Sequence, residues 1–122
     1  MVKKASHINV RWRMRIMWGD VIAIGPGKIS LLEAVREQGS ITAAAKSLGM
    51  SYRRAWLLLN EINSTLKMPA TVSQHGGSAG GVSKLTDVGE EVIRLYRLIE
   101  KKAAQANESE LDQLINLLKK VD

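Results

Sequence analysis

The chain has 122 residues, of which 45% are apolar and 25% charged, and its formal net charge at pH 7 is +6. These values are typical of a globular domain with one core, and they exclude wholesale disorder and a catalytic domain joined to a separate sensing domain. Because the sequence has no cysteine, disulfides, thiolate metal sites and cysteine nucleophiles are also excluded.

The positive charge is concentrated before residue 87. Residues 1–86 contain twelve Lys and Arg against four Asp and Glu, whereas residues 87–122 contain six against eight. A basic segment favours a polyanionic partner, so residues 87–122 are expected to have another purpose. No apolar run is long enough for a signal peptide or a membrane span, which predicts a cytoplasmic protein without membrane contacts.

Residues 10–18, with the sequence VRWRMRIMW, alternate between apolar and basic side chains. Alternation with a period of two predicts a strand that buries its apolar face. The basic face is either a solvated surface or a surface that lies against phosphates, and the sequence leaves both open. The apolar positions are Val10, Trp12, Met14, Ile16 and Trp18, and the basic positions are Arg11, Arg13 and Arg15.

A Gly-Pro-Gly sequence at residues 25–27 interrupts this strand and precedes the first predicted helix, which ends at Gly39. The helix is expected to begin at Lys28 or Ser30, because Ser30 and Glu33 have the spacing of a capping box. The side chains that this helix is expected to bury are Ile29, Leu32, Ala34 and Val35.

A second helix is predicted over residues 41–48 and a third over residues 51–66, with Ser51 as the N-cap of the third. Because two residues separate them, the helices must cross, as in a helix-turn-helix. Ala45 is small enough to let the helices touch, and Gly49 tolerates the positive φ of the joint. The residues expected to fill the angle between the helices are Ala44, Leu48, Ala55 and Leu58.

One face of the third helix is predicted to suit a DNA major groove, opposite a buried stripe formed by Ala55, Leu58, Leu59, Ile62 and Leu66. Arg53 can bind guanine through two hydrogen bonds, Asn60 suits adenine, and Leu57 suits a thymine methyl group. Solvation alone does not explain an exposed leucine between them. For Tyr52 and Trp56, packing at the edge of the core is the alternative. Ser64 lies on the same face. The predicted recognition residues are Ser51, Tyr52, Arg53, Arg54, Trp56, Leu57 and Asn60.

Residues 70–75 and 82–86 are predicted to form two short strands around a glycine-rich loop. A nucleotide-binding loop is disfavoured, because it would need Lys and Ser or Thr directly after the last glycine and then a helix. The loop is predicted to be a wing that contacts DNA phosphates, and a hairpin tip without a partner is the alternative. The predicted wing residues are His75, Gly76, Gly77, Ser78, Gly80, Gly81 and Lys84.

From Asp87 to Ala106 apolar residues recur every three or four positions, which predicts a long helix with a narrow apolar seam. A final helix follows, with Ser109 and Asp112 spaced as its cap. The apolar residues are predicted to form a dimer surface, and core packing within one subunit is the alternative. The predicted dimer residues are Val88, Val92, Leu95, Tyr96, Ile99, Leu111, Leu114, Ile115 and Leu118.

Together these elements predict a mainly α fold with a small antiparallel sheet, of the α+β class. The expected architecture is a winged helix-turn-helix with a long C-terminal dimerisation helix. Residues 1–86 are expected to form the DNA-binding domain and residues 87–122 the helical extension. No motif places a catalytic triad, a carboxylate pair or a metal-ligand set, so neither an enzyme nor a cofactor or metal site is expected.

Residues 40–56, SITAAAKSLGMSYRRAW, continue as LLLNEIN and are followed by HGGSAGG and KLTDVGEEVIRLYRLIE. This combination resembles the N-terminal DNA-binding domain of the ModE-type molybdate-dependent transcriptional regulators, whose winged helix is similar to that of LysR-type regulators. The resemblance covers residues 8–106.

The resemblance implies a homodimer that binds a palindromic operator in double-stranded DNA, with repression as the expected mode of action. It implies that the region of Tyr52, Arg53 and Arg54 enters the major groove, that residues 75–82 contact the flanking backbone, and that the long helix supplies dimer contacts. Members of this family bind molybdate in C-terminal domains that residues 107–122 do not resemble. Molybdate binding by this chain alone is therefore not expected.

A protein-interaction adaptor that uses the same fold without DNA is the alternative function, because a fold by itself does not fix a function. The dependence of binding on salt separates the two. Binding through DNA phosphates should weaken steeply between about 50 and 200 mM salt, whereas an adaptor with apolar contacts should not.

Overall fold

A computed structural model describes residues 8–74 and 81–119 of the chain. These residues form two compact units: residues 13–96 in one, and residues 8–12 with 97–119 in the other. The strands are β1 (Ile16–Trp18), β2 (Val21–Ile24), β3 (Thr71–Gln74) and β4 (Val82–Leu85), and the helices are α1 (Pro26–Gln38), α2 (Ile41–Ser47), α3 (Tyr52–Thr65), α4 (Asp87–Ala106) and α5 (Glu108–Ile115). This is a winged helix of the α+β class, and the predicted fold class is confirmed.

The strand predicted over residues 10–18 is correct only at its end. β1 covers Ile16–Trp18 and pairs with β2 in an antiparallel hairpin whose turn contains Gly19, at a φ of 61°. Before β1, the carbonyl of Met14 accepts a hydrogen bond of 2.8 Å from the Tyr96 hydroxyl rather than from a neighbouring strand. Burial does alternate over residues 11–15, with the three arginines exposed, but Val10 and all of β1 are exposed, so the predicted buried face is wrong at those positions.

The first predicted helix forms as α1, but it begins at Pro26 rather than at Lys28 or Ser30. Proline suits this first position because its fixed φ is helical and its missing N–H would have no partner there. The capping box predicted at Ser30 is therefore wrong, since Ser30 lies inside the helix. The predicted end is confirmed: Gly39 adopts a φ of 79°, and the residues predicted to be buried are buried.

The helix-turn-helix forms from α2 and α3 with a side-chain cap at the start of each helix. Ser40 Oγ accepts a hydrogen bond of 3.1 Å from the backbone N–H of Ala43, and Ser51 Oγ accepts one of 3.1 Å from Arg54. Gly49, between the helices, has a φ of 68°, as predicted for the joint. Such caps stabilise a helix by about 1 kcal/mol each, so both helix starts are fixed by the local sequence.

The core lies where α1, α2 and α3 meet, with Ile93 of α4 packed against it. Ala44, Ala45 and Ala55 are almost completely buried, which confirms that small residues let the two helices approach closely. Leu58 is half-buried at the edge of this core. Leu48 is 38% exposed, so its predicted role between the helices is wrong.

β3 and β4 form the antiparallel hairpin predicted for the wing, with Thr71 opposite Leu85 and Gln74 opposite Val82. Their inner ends are fixed to the core unit by two sets of contacts. Ser83 N–H donates a hydrogen bond of 2.9 Å to the carbonyl of Gly39. Asn63 of α3 accepts hydrogen bonds from the backbone N–H groups of Ala70, at 2.8 Å, and Thr71, at 3.3 Å.

α4 has the predicted bounds, and Thr86 caps it by accepting a hydrogen bond of 3.1 Å from Gly89 N–H. α5 begins at Glu108 after an N-cap residue, Asn107, whose side chain makes no capping hydrogen bond. The cap predicted from Ser109 and Asp112 is therefore wrong, because both residues lie inside α5. None of the helices in the described ranges combines the length and apolar content that a membrane-spanning helix needs.

Candidate nucleic-acid interface

The outer face of α3 is open along its length. Arg53, Leu57, Asn60 and Ser64 are all exposed, as the helical wheel predicted, while Ala55, Leu59 and Ile62 are buried on the opposite side. Leu57 is 45% exposed between the guanidinium of Arg53 and the amide of Asn60. In the part of the chain that the structure describes, the side chains of Arg53 and Asn60 make no hydrogen bond or ion pair, so their donors and acceptor are free to bind base edges.

The two aromatic residues of α3 lie at the surface rather than at a closed edge of the core. Tyr52 is 49% exposed and Trp56 is 44% exposed. They border a shallow cavity of about 210 Å³ that also receives Asn60 of α3 and Ser73 of β3. The cavity therefore joins the outer face of α3 to the base of the wing, and the planar face of a base is the kind of group that stacks on aromatic side chains.

Asn63 is a residue of this region that the sequence did not single out. In addition to the two backbone hydrogen bonds it accepts, its side-chain amide donates one of 3.0 Å to Thr71 Oγ1. This contact holds the first residue of β3 against the last turns of α3. Asn63 therefore fixes the position of the wing relative to the helix, and no sequence pattern identified it beforehand.

The predicted wing is described in part. His75, Gly76, Gly77, Ser78 and Gly80 lie outside the described residues. Gly81, directly before β4, and Lys84, within β4, are exposed. Lys84 makes no ion pair with any described residue. Its ammonium group is thus free to bind a phosphate, on the hairpin that Asn63 attaches to α3.

A second set of cations lies on the other side of α3. Arg54, in the first turn of α3, borders a groove of about 400 Å³ together with Arg13 and Arg15, which precede β1, and Lys28 of α1. The arginines are exposed, and the alternation in residues 10–18 was the signal that pointed to them.

The residues predicted for a dimer surface fall into two groups. Tyr96 is only 2% exposed and its hydroxyl donates a hydrogen bond to the carbonyl of Met14, and Val92 packs against the core, so these two pack within the chain rather than on an open surface. Leu95, Ile99, Leu114 and Leu118 are exposed, and Val88, Leu111 and Ile115 are half-buried. The exposed members are the ones available to a partner.

Nothing in residues 8–74 and 81–119 groups three or more His, Asp or Glu side chains closely enough to hold a metal ion. The described surface around α3 instead carries guanidinium, amide, aromatic and ammonium groups. These groups bind phosphates and base edges.

Comparison with known proteins finds no matching family model. Among curated proteins, the molybdenum transport protein ModE of Azotobacter vinelandii is 38% identical over 78 residues, which are 64% of this chain and 29% of the relative. The molybdenum-pterin-binding protein MopB of Rhodobacter capsulatus is 40% identical over 77 residues, 63% of this chain and 28% of the relative. The DNA-binding transcriptional dual regulator ModE of Escherichia coli K12 is 39% identical over 74 residues, 61% of this chain and 28% of the relative.

The chain thus spans about three tenths of the length of the curated relatives it matches. The matched part is the N-terminal part of those relatives. The resemblance drawn from the residues is therefore confirmed: over about three fifths of its length the chain is similar to the N-terminal region of ModE-type, molybdenum-related proteins, several of which are named as transcriptional regulators.

Proposed function

We propose that this chain is a sequence-specific DNA-binding transcriptional regulator that inserts α3 into the major groove. The observation that carries the proposal is the free outer face of α3, where Arg53, Leu57 and Asn60 stand exposed in a row. An arginine, an aliphatic side chain and an amide together offer the contacts that distinguish guanine, thymine and adenine in the major groove. The relatives named as transcriptional regulators support the same function.

The wing supplies the second part of the proposed interface. Lys84 and the glycine-rich tip, with His75 and Ser78, are proposed to contact the sugar-phosphate backbone beside the groove that α3 enters. Such contacts fix the orientation of the protein but carry no sequence information. The hydrogen bonds of Asn63 to residues 70 and 71 support this arrangement, because they hold the hairpin at a fixed place beside α3.

The proposed active form is a homodimer on a palindromic operator. Leu95 and Ile99, four residues apart on α4, are each 44% exposed, and Leu114 and Leu118 are also exposed. Exposed apolar side chains in such number favour a protein contact. A two-fold dimer would present two α3 helices about 34 Å apart, which matches one turn of DNA. Repression is the proposed mode of action, because a protein can repress by occupying an operator, and this requires DNA binding alone.

Selection of bound DNA from a random pool tests this proposal. The expected result is one enriched sequence with inverted half-sites, whose centres lie about 10 base pairs apart or at a multiple of that spacing. The affinity for the enriched sequence should fall about 1,000-fold or more between about 50 and 200 mM salt if six or more phosphates are contacted. Light scattering of the free protein should give twice the mass of one chain.

Two results would contradict the proposal in different ways. Enrichment of an asymmetric site by a monomer would leave DNA binding intact and remove the homodimer. Recovery of no sequence above background, with partner binding that salt leaves unchanged, would favour the protein-interaction adaptor instead.

A further inference from the structure

The groove beside the first turn of α3 contains more cationic side chains than are paired within the fold. Its charged lining residues are the cations Arg13, Arg15, Lys28 and Arg54 and the carboxylates Asp20 and Glu61. The remaining lining is mainly the backbone and apolar side chains of β2 and the start of α1. All of these residues belong to the unit formed by residues 13–96.

One cation and one carboxylate of the groove neutralise each other. Lys28 is 5% exposed, and its ammonium group lies 3.0 Å from Glu61 Oε1 and donates a hydrogen bond to the carbonyl of Ile22. Burial of an amine is tolerated only with such partners. Lys28 and Glu61 therefore join α1 to α3 and leave little net charge for a ligand.

The other charged groups of the groove have no such partner. Arg13, Arg15 and Arg54 are exposed, and within the described residues none of their side chains makes an ion pair or donates a hydrogen bond to a carboxylate. Asp20, at the turn between β1 and β2, is likewise unpaired. Three free guanidinium groups against one free carboxylate leave a positive surface, and guanidinium is the side chain best suited to grip a phosphate through two hydrogen bonds.

The position of this surface relates it to the proposed DNA interface. Arg54 follows Arg53 directly, and Ser51 caps the same turn by accepting a hydrogen bond from the backbone N–H of Arg54. The groove thus starts at the end of α3 that is proposed to enter the major groove first. A DNA strand that borders the major groove presents a row of phosphates beside the helix that enters it.

We propose that Arg13 and Arg15, together with Arg54, bind phosphates of the DNA strand that borders the major groove occupied by α3. This inference rests on the proposed function. It adds to the wing a second group of residues that hold the DNA backbone, here called the clamp, on the side of α3 opposite the cavity bordered by Tyr52 and Trp56. The clamp acts without reading bases. Asp20 opposes it by like-charge repulsion of the phosphates.

The test compares the salt dependence of DNA binding for the full chain and a double variant, Arg13→Gln with Arg15→Gln. We expect the slope of log K against log salt to become shallower by about two for each bound chain, and the loss of affinity to be equal for specific and nonspecific DNA. The variant with Arg13→Lys and Arg15→Lys should keep the wild-type slope. Asp20→Asn should strengthen binding. Lys67→Gln, which removes an exposed cation two residues beyond the C-terminal end of α3, should leave the slope unchanged.

Circular dichroism and the unfolding midpoint show whether the double Gln variant is folded. A wild-type slope in the lysine variant shows that the positive charge at the two positions sets the slope. A wild-type slope in the folded Gln variant would overturn the clamp, while wild-type DNA binding would still stand. If the wild-type chain did not bind DNA at all, the proposed function would instead be overturned. A second experiment titrates the protein with inorganic phosphate in the absence of DNA. Saturable binding at millimolar concentration that the Gln variant loses, together with an unchanged slope of that variant in the DNA titration, would identify a free-anion site and also overturn the clamp.

Discussion

The substitution Arg53→Ala is expected to weaken binding to the selected operator by about 5- to 150-fold. That range corresponds to the roughly 1–3 kcal/mol by which a good base-reading contact distinguishes one base pair from another. The Arg53 side chain is exposed and makes no hydrogen bond or ion pair with a described residue, so its removal should leave the fold intact. Competition binding with operators changed at each position should show that one base pair per half-site no longer affects the affinity.

Arg53→Lys separates base reading from charge. Lysine keeps the positive charge but lacks the planar fork that makes two parallel hydrogen bonds. The lysine variant is therefore expected to keep the salt dependence of the wild type while losing the preference at the same base pair. Ser64→Ala, further along the exposed face, serves as a matched control, because the Ser64 hydroxyl already donates to the carbonyl of Glu61. If Arg53→Ala bound its operator as tightly as the wild type, the role assigned to Arg53 would be wrong.

Gly89→Ala is expected to lower the free energy of unfolding by about 1–3 kcal/mol or more, the usual cost of overpacking. A Cβ at Gly89 would lie 2.2 Å from the carbonyl oxygen of Ala70, a backbone atom that already accepts a hydrogen bond of 2.9 Å from Thr86 N–H. The first turn of α4 would have to move away from residues 69 and 70, and the hydrogen bond of 2.6 Å from the Thr86 hydroxyl to Pro69 would be strained. Urea denaturation measures the change.

Gly27→Ala is the matched control for this effect. Gly27 also lies in a helix, but a Cβ there would meet no described atom within 4 Å. Alanine favours a helix over glycine by up to about 1 kcal/mol, so the control should be neutral or slightly stabilised. Equal stability of the Gly89→Ala and wild-type proteins would show that α4 does not pack against Ala70 as described.

The helix-turn-helix could be predicted from the sequence because its determinants are local. Ser40 and Ser51 cap their own helices, Gly49 supplies the left-handed joint, and the apolar spacing of α3 decides which side is buried. The exposed face of α3 follows from the same spacing. For this reason Arg53, Leu57 and Asn60 were assigned correctly to the outer side.

The first part of the chain was predicted less well because its structure depends on distant residues. The pattern in residues 10–18 predicted a strand throughout, yet Met14 is held by the hydroxyl of Tyr96, which is 82 positions away. The same contact explains why Tyr96 is buried although its spacing suggested an open seam. The pairing of β1 with β2 did have a local signal, the two-residue turn Gly19-Asp20 between two apolar runs, but the alternating pattern was extended as one strand instead. The salt bridge from Lys28 to Glu61 has no such signal, so the basic groove was visible only as alternating arginines.

Contacts between two secondary-structure elements could also not be predicted from the sequence. Asn63 holds β3 through three hydrogen bonds, but a half-buried asparagine near the end of a helix gives no indication of its partner. Leu48 has the spacing of a core residue, yet it lies at the surface because α2 ends before it. Contacts of this kind depend on tertiary geometry rather than on periodicity.

Methylation interference on the selected operator tests most directly whether the outer face of α3 reads bases. Methyl groups on guanine N7 occupy the major groove, where Arg53 is proposed to bind. The expected result is that methylation of one guanine in each half-site blocks the wild-type protein, while binding of the Arg53→Ala variant no longer depends on it. Interference confined to adenine N3 in the minor groove, or the same pattern for both proteins, would contradict the insertion of α3 into the major groove.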